Sequence, residues 1–207
     1  LVKIPHGGWF PILICASIVA MMSSWHAGAE AVRRHHVSLN IPLSDFLQSL
    51  SQQQVVRVPG TSVFLARDDK GAPPTLVHYV KHAHALHERV ILLTVQTERV
   101  PRVADDLRIE VEERGGGFIR VAARYGFMET PSVQRVLEQC EQLGLPVDPK
   151  EATVFVGHSS VVPTGKAAMA QWRKRLFAFM NRNAHPAALY YGLNPEQVVE
   201  VGVRLDI

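Results

Sequence analysis

Three short stretches hold the residue types from which metal or catalytic sites are built. His78 and His82 stand four apart in a segment with helical spacing, so a helix would place both imidazoles on one face, within reach of one ion. His84 and His87 follow, but no cysteine or carboxylate on that face supplies a third ligand. Histidines on an amphipathic helix are more often solvated or bonded to a neighbour, and no metal ligand is assigned. Gly157-His158-Ser159-Ser160-Val161 has the outline of a nucleophile elbow, except that Val161 stands where the strand-to-helix turn requires a second glycine. Thr164-Gly165-Lys166-Ala167 has the outline of a phosphate loop. Ser160 replaces its first glycine, however, and Ala167 lacks the hydroxyl that would hold magnesium. No nucleophile, base and stabiliser come together, so the sequence assigns no catalytic, cofactor-binding or metal-binding residue, and no enzyme or cofactor is expected.

The elements that carry these stretches follow from periodicity. Thr61 to Leu65 reads as a buried strand, closed by the turn residues Asp68-Asp69-Lys70-Gly71. Pro73-Pro74 introduces a helix from Thr75 to His87, with Leu76, Val80, Ala83 and Leu86 on its apolar side. Val90 to Val95 has almost no polar interruption, as in a strand covered on both faces, and the strand-helix-strand unit predicts parallel pairing. Leu107 to Glu112 and Phe118 to Tyr125 alternate polar with apolar residues around Gly115-Gly116-Gly117, which predicts a hairpin with one solvated face. Thr130 before Pro131 signals the cap of a helix ending near Gly144. A strand over Ala152 to Val156, a helix over Met169 to Asn181 and a final strand over Val198 to Ile207 complete the order. In that last helix Trp172, Leu176, Phe177, Phe179 and Met180 read as core, with Arg173-Lys174-Arg175 as the solvated face. The fold class is α/β, a mixed α+β domain with a mixed sheet.

Composition narrows the setting. The 207 residues carry a formal net charge of +3, and acidic and basic residues are interspersed after the first forty positions, which argues against a nucleic-acid partner. Two cysteines, Cys15 and Cys140, exclude a disulfide framework and suit a reducing compartment. From Ile4 to Ala29 there is no formal charge, and Trp9 to Trp25 as a helix would rise roughly 25 Å, close to the hydrocarbon thickness of a bilayer. Tryptophans stand at both ends, where amphipathic rings prefer the headgroup boundary. A signal peptide is the rival reading, with Lys3 as its basic lead and Ala27-Gly28-Ala29 as a small-residue cleavage site. Against it, Arg33-Arg34-His35-His36 follows closely, as on the cytoplasmic side of a spanning helix. Ile41 to Leu50 reads as a short amphipathic helix capped by Ser44 or its neighbour. A start at Leu1 reads as the end of a loop, so a piece of a longer chain is expected.

Several strings together resemble the C-terminal end of the Kup family of bacterial potassium uptake proteins. They are Gly7-Gly8-Trp9-Phe10-Pro11, Val58-Pro59-Gly60-Thr61-Ser62-Val63-Phe64-Leu65 and His87-Glu88-Arg89-Val90-Ile91-Leu92-Leu93-Thr94-Val95. Val100-Pro101-Arg102-Val103, Arg124-Tyr125-Gly126-Phe127-Met128-Glu129 and Leu176-Phe177-Ala178-Phe179-Met180-Asn181-Arg182-Asn183-Ala184 continue the series. The resemblance implies a last transmembrane helix followed by a cytoplasmic tail. The rest of the transporter would carry the ion path on earlier broken helices, so no ion-binding residue transfers to this chain.

The expected organisation is therefore residues 1–29 as the final transmembrane helix with a short preceding loop, 30–54 as a basic juxtamembrane linker with a short amphipathic helix, and 55–207 as a cytoplasmic α/β domain. The partners implied are the lipid bilayer of the inner membrane, the missing transmembrane helices, K+ and H+ as transported ions of the whole protein, and a second copy in a homodimer. The function implied is a regulatory and assembly tail. The alternative is a stand-alone, single-pass membrane-anchored protein that binds a partner or senses a ligand. The Arg33-Arg34 cluster predicts that a green fluorescent reporter fused after His36 is fluorescent and an alkaline phosphatase fused there is inactive. The reverse pair of results would restore the signal peptide.

Overall fold

The computed structural model describes residues 9–38, 41–53, 55–67, 71–165, 169–184 and 191–206. Helix α1 (Trp9–Ser38) is followed by the short strand β1 (Ile41–Pro42), α2 (Leu43–Gln52), β2 (Val56–Ala66) and β3 (Gly71–Ala72). Then come α3 (Pro74–Ala83), β4 (Ala85–Glu98), β5 (Ile109–Gly115) and β6 (Phe118–Gly126). Helix α4 (Val133–Gln142), β7 (Thr153–Val162), α5 (Gln171–Arg182) and β8 (Val198–Asp206) end the order. The main sheet has six strands in the order β5-β6-β4-β2-β7-β8, while β1 pairs antiparallel with β3. Strand β2 is parallel to β4 and β7, β4 is parallel to β6, and β5 is antiparallel to β6. The mixed sheet of an α/β fold expected from sequence is what forms.

Successive residues of the central strands enter two different cores because side chains alternate across a strand. Val63, Ile91, Leu93, Val121 and Val154 face one way and pack with Val133, Val136, Leu137 and Cys140 of α4. Phe64, Val90, Leu92 and Phe155 face the other way and pack with Leu76 and Val80 of α3 and Leu43 and Phe46 of α2. Phe64 and Phe155 stack with centroids 4.5 Å apart, joining β2 to β7 within that second core. Burial pushes the Cys140 thiol up to about 11, so it behaves as a packed hydrophobe rather than a nucleophile.

Several local expectations shift once the sheet is in place. Helix α3 stops at Ala83, a turn short of His87, because His84 adopts the left-handed conformation (φ 51°) and Ala85 already pairs with Val56. Leu86, expected on the helix, is a buried residue of β4. Strands β2, β4 and β7 all outrun their apolar centres, and in β2 and β4 pairing with a parallel neighbour satisfies backbone groups beyond the buried part. The cap of α4 is Ser132, whose hydroxyl accepts from the Arg135 N–H at 3.4 Å, and not Thr130. Helix α2 begins after Pro42 without a side-chain cap, and the Ser44 hydroxyl donates instead to Asp45 Oδ1 at 3.0 Å. The turn at Asp68-Asp69-Lys70 lies outside the described residues.

The chain divides into two compact units. One is formed by residues 1–38, 159–184 and 204–207, and the other by 39–158 and 185–203. Replacing the fully buried Leu92 by alanine should cost about 2–5 kcal/mol, whereas Leu107→Ala, at a position 63% exposed, should cost less than about 0.5 kcal/mol. Denaturant midpoints of the whole chain in detergent, followed by far-ultraviolet circular dichroism, measure both.

Candidate functional site

In the first unit α1 carries a stripe at four-residue spacing, Ser24, Gly28 and Val32, that is buried while the preceding apolar turns are exposed. Helix α5 packs against it. The Phe177 ring lies directly over Gly28, where an added Cβ would come within 2.2 Å of Phe177 Cγ. The ring also meets Trp25 at a centroid distance of 5.4 Å. Any side chain at position 28 would hold α5 away from α1. The Arg173 guanidinium donates to the Ser23 carbonyl at 2.7 Å and to Ser24 Oγ at 3.2 Å. Lys174, only 5% exposed, donates to the Gly165 carbonyl at 2.6 Å. Near the end of α1, Glu30 accepts from both Arg33 and Arg34, at 2.7 and 2.9 Å.

The α5 surface matches the expected one at the buried Phe177 and the exposed Arg175 and departs from it at Trp172, Lys174 and Phe179. Lys174, Phe177 and Ala178 are its buried positions, and Trp172 and Phe179 are 58% and 64% exposed. The packing partner is the narrow small-residue stripe of α1, which accepts Phe177 and leaves the rest of the aromatic stripe outside. The sequence shows the aromatic spacing but not which side of the helix meets the stripe.

In the second unit a polar cluster ties the segment after β4 to the segment after β6. Glu129 accepts from Arg108 at 2.9 Å and from the Gly126 and Val103 N–H groups at 2.7 and 3.1 Å. Arg108 also donates to Asp105 at 3.0 Å and to the Val103 carbonyl at 2.8 Å, and its guanidinium lies 4.9 Å from the centre of the Tyr125 ring. Tyr125 in turn bonds the Ser132 main chain, fixing the start of α4. Gly126 is required because a Cβ there would fall 2.3 Å from the Pro101 carbonyl oxygen. The Arg108 guanidinium, with the two backbone N–H groups, holds the Glu129 carboxyl at about 2, and Glu129 raises Arg108. Beside this knot lies a polar cavity of about 460 Å³, lined by Arg102, Arg108 and Arg135, by the carboxylates of Asp105 and Glu129, and by Tyr125 and Gln139 among others. The Gln139 Oε1 atom is buried there without a hydrogen-bond partner. Such a lining can hold a small polar group, but it contains no nucleophile-base pair.

Residues 59–207 match the family model described as the K+ potassium transporter C-terminal domain. The chain belongs to the Kup potassium transporter family. It is 42% identical to the probable potassium transport system protein Kup 1 of Geobacter sulfurreducens, over all of this chain and 33% of that protein. Similarity to the probable Kup proteins of Myxococcus xanthus, at 40%, and Bdellovibrio bacteriovorus, at 38%, covers 100% and 99% of this chain and 32% of each relative. The chain thus spans about a third of the length of the curated relatives it matches. No solved structure matches it.

The strings that resemble the Kup family now have physical roles. Val100 to Val103 and Arg124 to Glu129 supply the Val103, Tyr125, Gly126 and Glu129 parts of the Arg108–Glu129 knot, which the sequence did not reveal because Arg108 lies in the turn before β5, outside both strings. Two acidic residues before Arg108 and one after a Gly-Phe-Met turn gave no periodic signal. Val58 to Leu65 forms much of β2, His87 to Val95 most of β4, and Leu176 to Arg182 the latter part of α5.

The chemically suggestive stretches stay separate. His78 and His82 do meet edge to face on α3, with centroids 4.4 Å apart, and among the described residues no group of three or more His, Cys, Asp or Glu could hold a metal. His84 caps α3, and His87 lies in β4 with its Nδ1 buried and its pKa lowered by that burial. Gly157 to Val161 is extended strand within β7, without the turn of a nucleophile elbow. Lys166 and Ala167 lie outside the described residues.

Because the Glu129 carboxyl is held at about 2 against an ordinary 4.5, its contribution to stability is complete above 4.5 and is lost as pH falls through about 2. Glu129→Gln should lower stability near neutrality and flatten its dependence between those values. Denaturation of both proteins in a pH series checks it, and equal slopes for the two proteins between those values would show that the knot does not form.

Proposed function

We propose that this chain is the C-terminal segment of a Kup-type potassium transport protein, with α1 as its final membrane helix and the α/β domain as a cytoplasmic tail serving regulation and assembly. The observation that carries the reading is the continuity of a 27-residue apolar helix, Trp9–His35, with a domain matching the family's C-terminal model. The orientation is supported by Arg33 and Arg34 at the far end of α1. The printed names of the relatives, potassium transport system proteins, supply K+ as the ion. Inner-membrane location, H+ as coupled ion and a homodimer through the tail are carried by the family resemblance. The tail itself is read as non-enzymatic.

A single spanning helix cannot enclose a dehydrated ion, because polar sites in lipid must be satisfied within a bundle. Expressed alone in cells lacking potassium uptake, the chain should therefore give no growth at low potassium. Substituted for the corresponding third of the Geobacter sulfurreducens relative, it should restore growth. Rescue by the chain alone, lost when Trp9 to Trp25 is replaced by an unrelated spanning segment, would overturn the reading.

A further inference from the structure

The exposed face of α5 has an unusual composition for a surface helix. Trp172, Arg175, Phe179 and Arg182 fall on one side at three- and four-residue steps, all exposed, with Leu176 half-buried at its margin. The opposite side is committed to α1 through Phe177. Its anchorage on α1 is at Ser23 to Gly28, the stretch in which the exposed apolar turns end at Trp25. Where α1 crosses a bilayer, this is the depth of the headgroups.

Charge is segregated in the same sense. The unit that contains α1 and α5 has nine basic residues against two acidic, a formal +7, while the remainder of the chain has thirteen against seventeen, a formal −4. The overall +3 conceals this division. A cationic unit fused to a membrane helix is drawn to anionic phospholipid, at about 1 kcal/mol for each arginine near the surface. Alternating aromatic rings and arginines also suits a headgroup layer, where rings sit at the acyl boundary and guanidinium groups reach phosphates. A helix that docks in a protein groove presents an unbroken apolar stripe instead.

We propose that α5 is an interfacial membrane helix, its Trp172–Arg175–Phe179–Arg182 face lying on the anionic lipid surface around the basic end of α1. The aromatic rings are buried among the headgroups and the arginines pair with lipid phosphates. This rests on the reading of α1 as a spanning helix.

The test uses the whole chain with Trp9→Phe and Trp25→Phe, so that Trp172 is the only tryptophan. It is reconstituted in phosphatidylcholine vesicles with and without phosphatidylglycerol, using lipids brominated near the headgroup as quenchers. A companion with Trp9→Phe and Trp172→Phe leaves Trp25 to report on α1. Trp172 emission should be blue-shifted and lipid-quenched in the anionic vesicles, and weakened by salt. Arg175→Ala and Arg182→Ala should each lower the docked fraction relative to the undocked one about fivefold, the equivalent of about 1 kcal/mol, with circular dichroism unchanged. Quenching of Trp25 but not Trp172, with Trp172 open to acrylamide, would overturn the proposal and leave the spanning helix standing. Protection of Trp172 from both quenchers would assign the face to protein contact and overturn it as well. Absence of lipid quenching at both tryptophans would overturn the spanning reading together with the proposal.

Discussion

The constraint on which the structure depends is that β2, β4, β6 and β7 run parallel. A parallel pair needs a crossover long enough to return the chain to the same end of the sheet, and here α3 and α4 supply part of two crossovers. Those helices cover opposite faces, so the central strands are apolar at successive positions, Val90-Ile91-Leu92-Leu93 being the clearest case. The sheet can relax this only at its margin. There β5 runs antiparallel and presents Glu110, Glu112 and Glu113 to solvent, which discourages further strand pairing.

Parallel topology leaves long connections, and one of them is stabilised by charge rather than by apolar contact. The segment between β4 and β5 has no regular element except a single 3-10 turn at Asp105–Leu107. Glu129 reaches back to its Val103 N–H while Arg108 reaches forward to Glu129, so the two loops are held at the same end of the sheet. With exposures of 11% for the Arg108 side chain and 17% for Glu129, the pair is largely removed from water. Its partial desolvation is offset by the backbone donors and carbonyls that complete both groups. The same arrangement leaves Tyr125 free to set the start of α4, which links the knot to the first core.

Helix α5 meets a different demand. Its contact with α1 depends on an absence of side chain, Gly28, and on one ring, Phe177. This narrow fit explains how an aromatic-rich helix buries one phenylalanine and exposes another aromatic face. It also places a buried lysine, Lys174, with its side-chain nitrogen on the Gly165 carbonyl.

Much of the fold was legible in the residues. The strand-helix-strand unit, the glycine-linked hairpin, the apolar α1 and the order of elements follow from periodicity, turn residues and charge, because those are local properties that backbone geometry enforces directly. Tertiary structure alone decided where α3 yields to β4, since His84 can turn only when Ala85 has Val56 to pair with. It decided that Arg108 and Glu129, far apart in sequence, would share one knot, and that Trp172 and Phe179 would face outward while Lys174 turned in. A helix sequence fixes the angular spacing of its side chains but not the surface it meets, and a charge carries no mark of its distant partner until the sheet brings the two loops together.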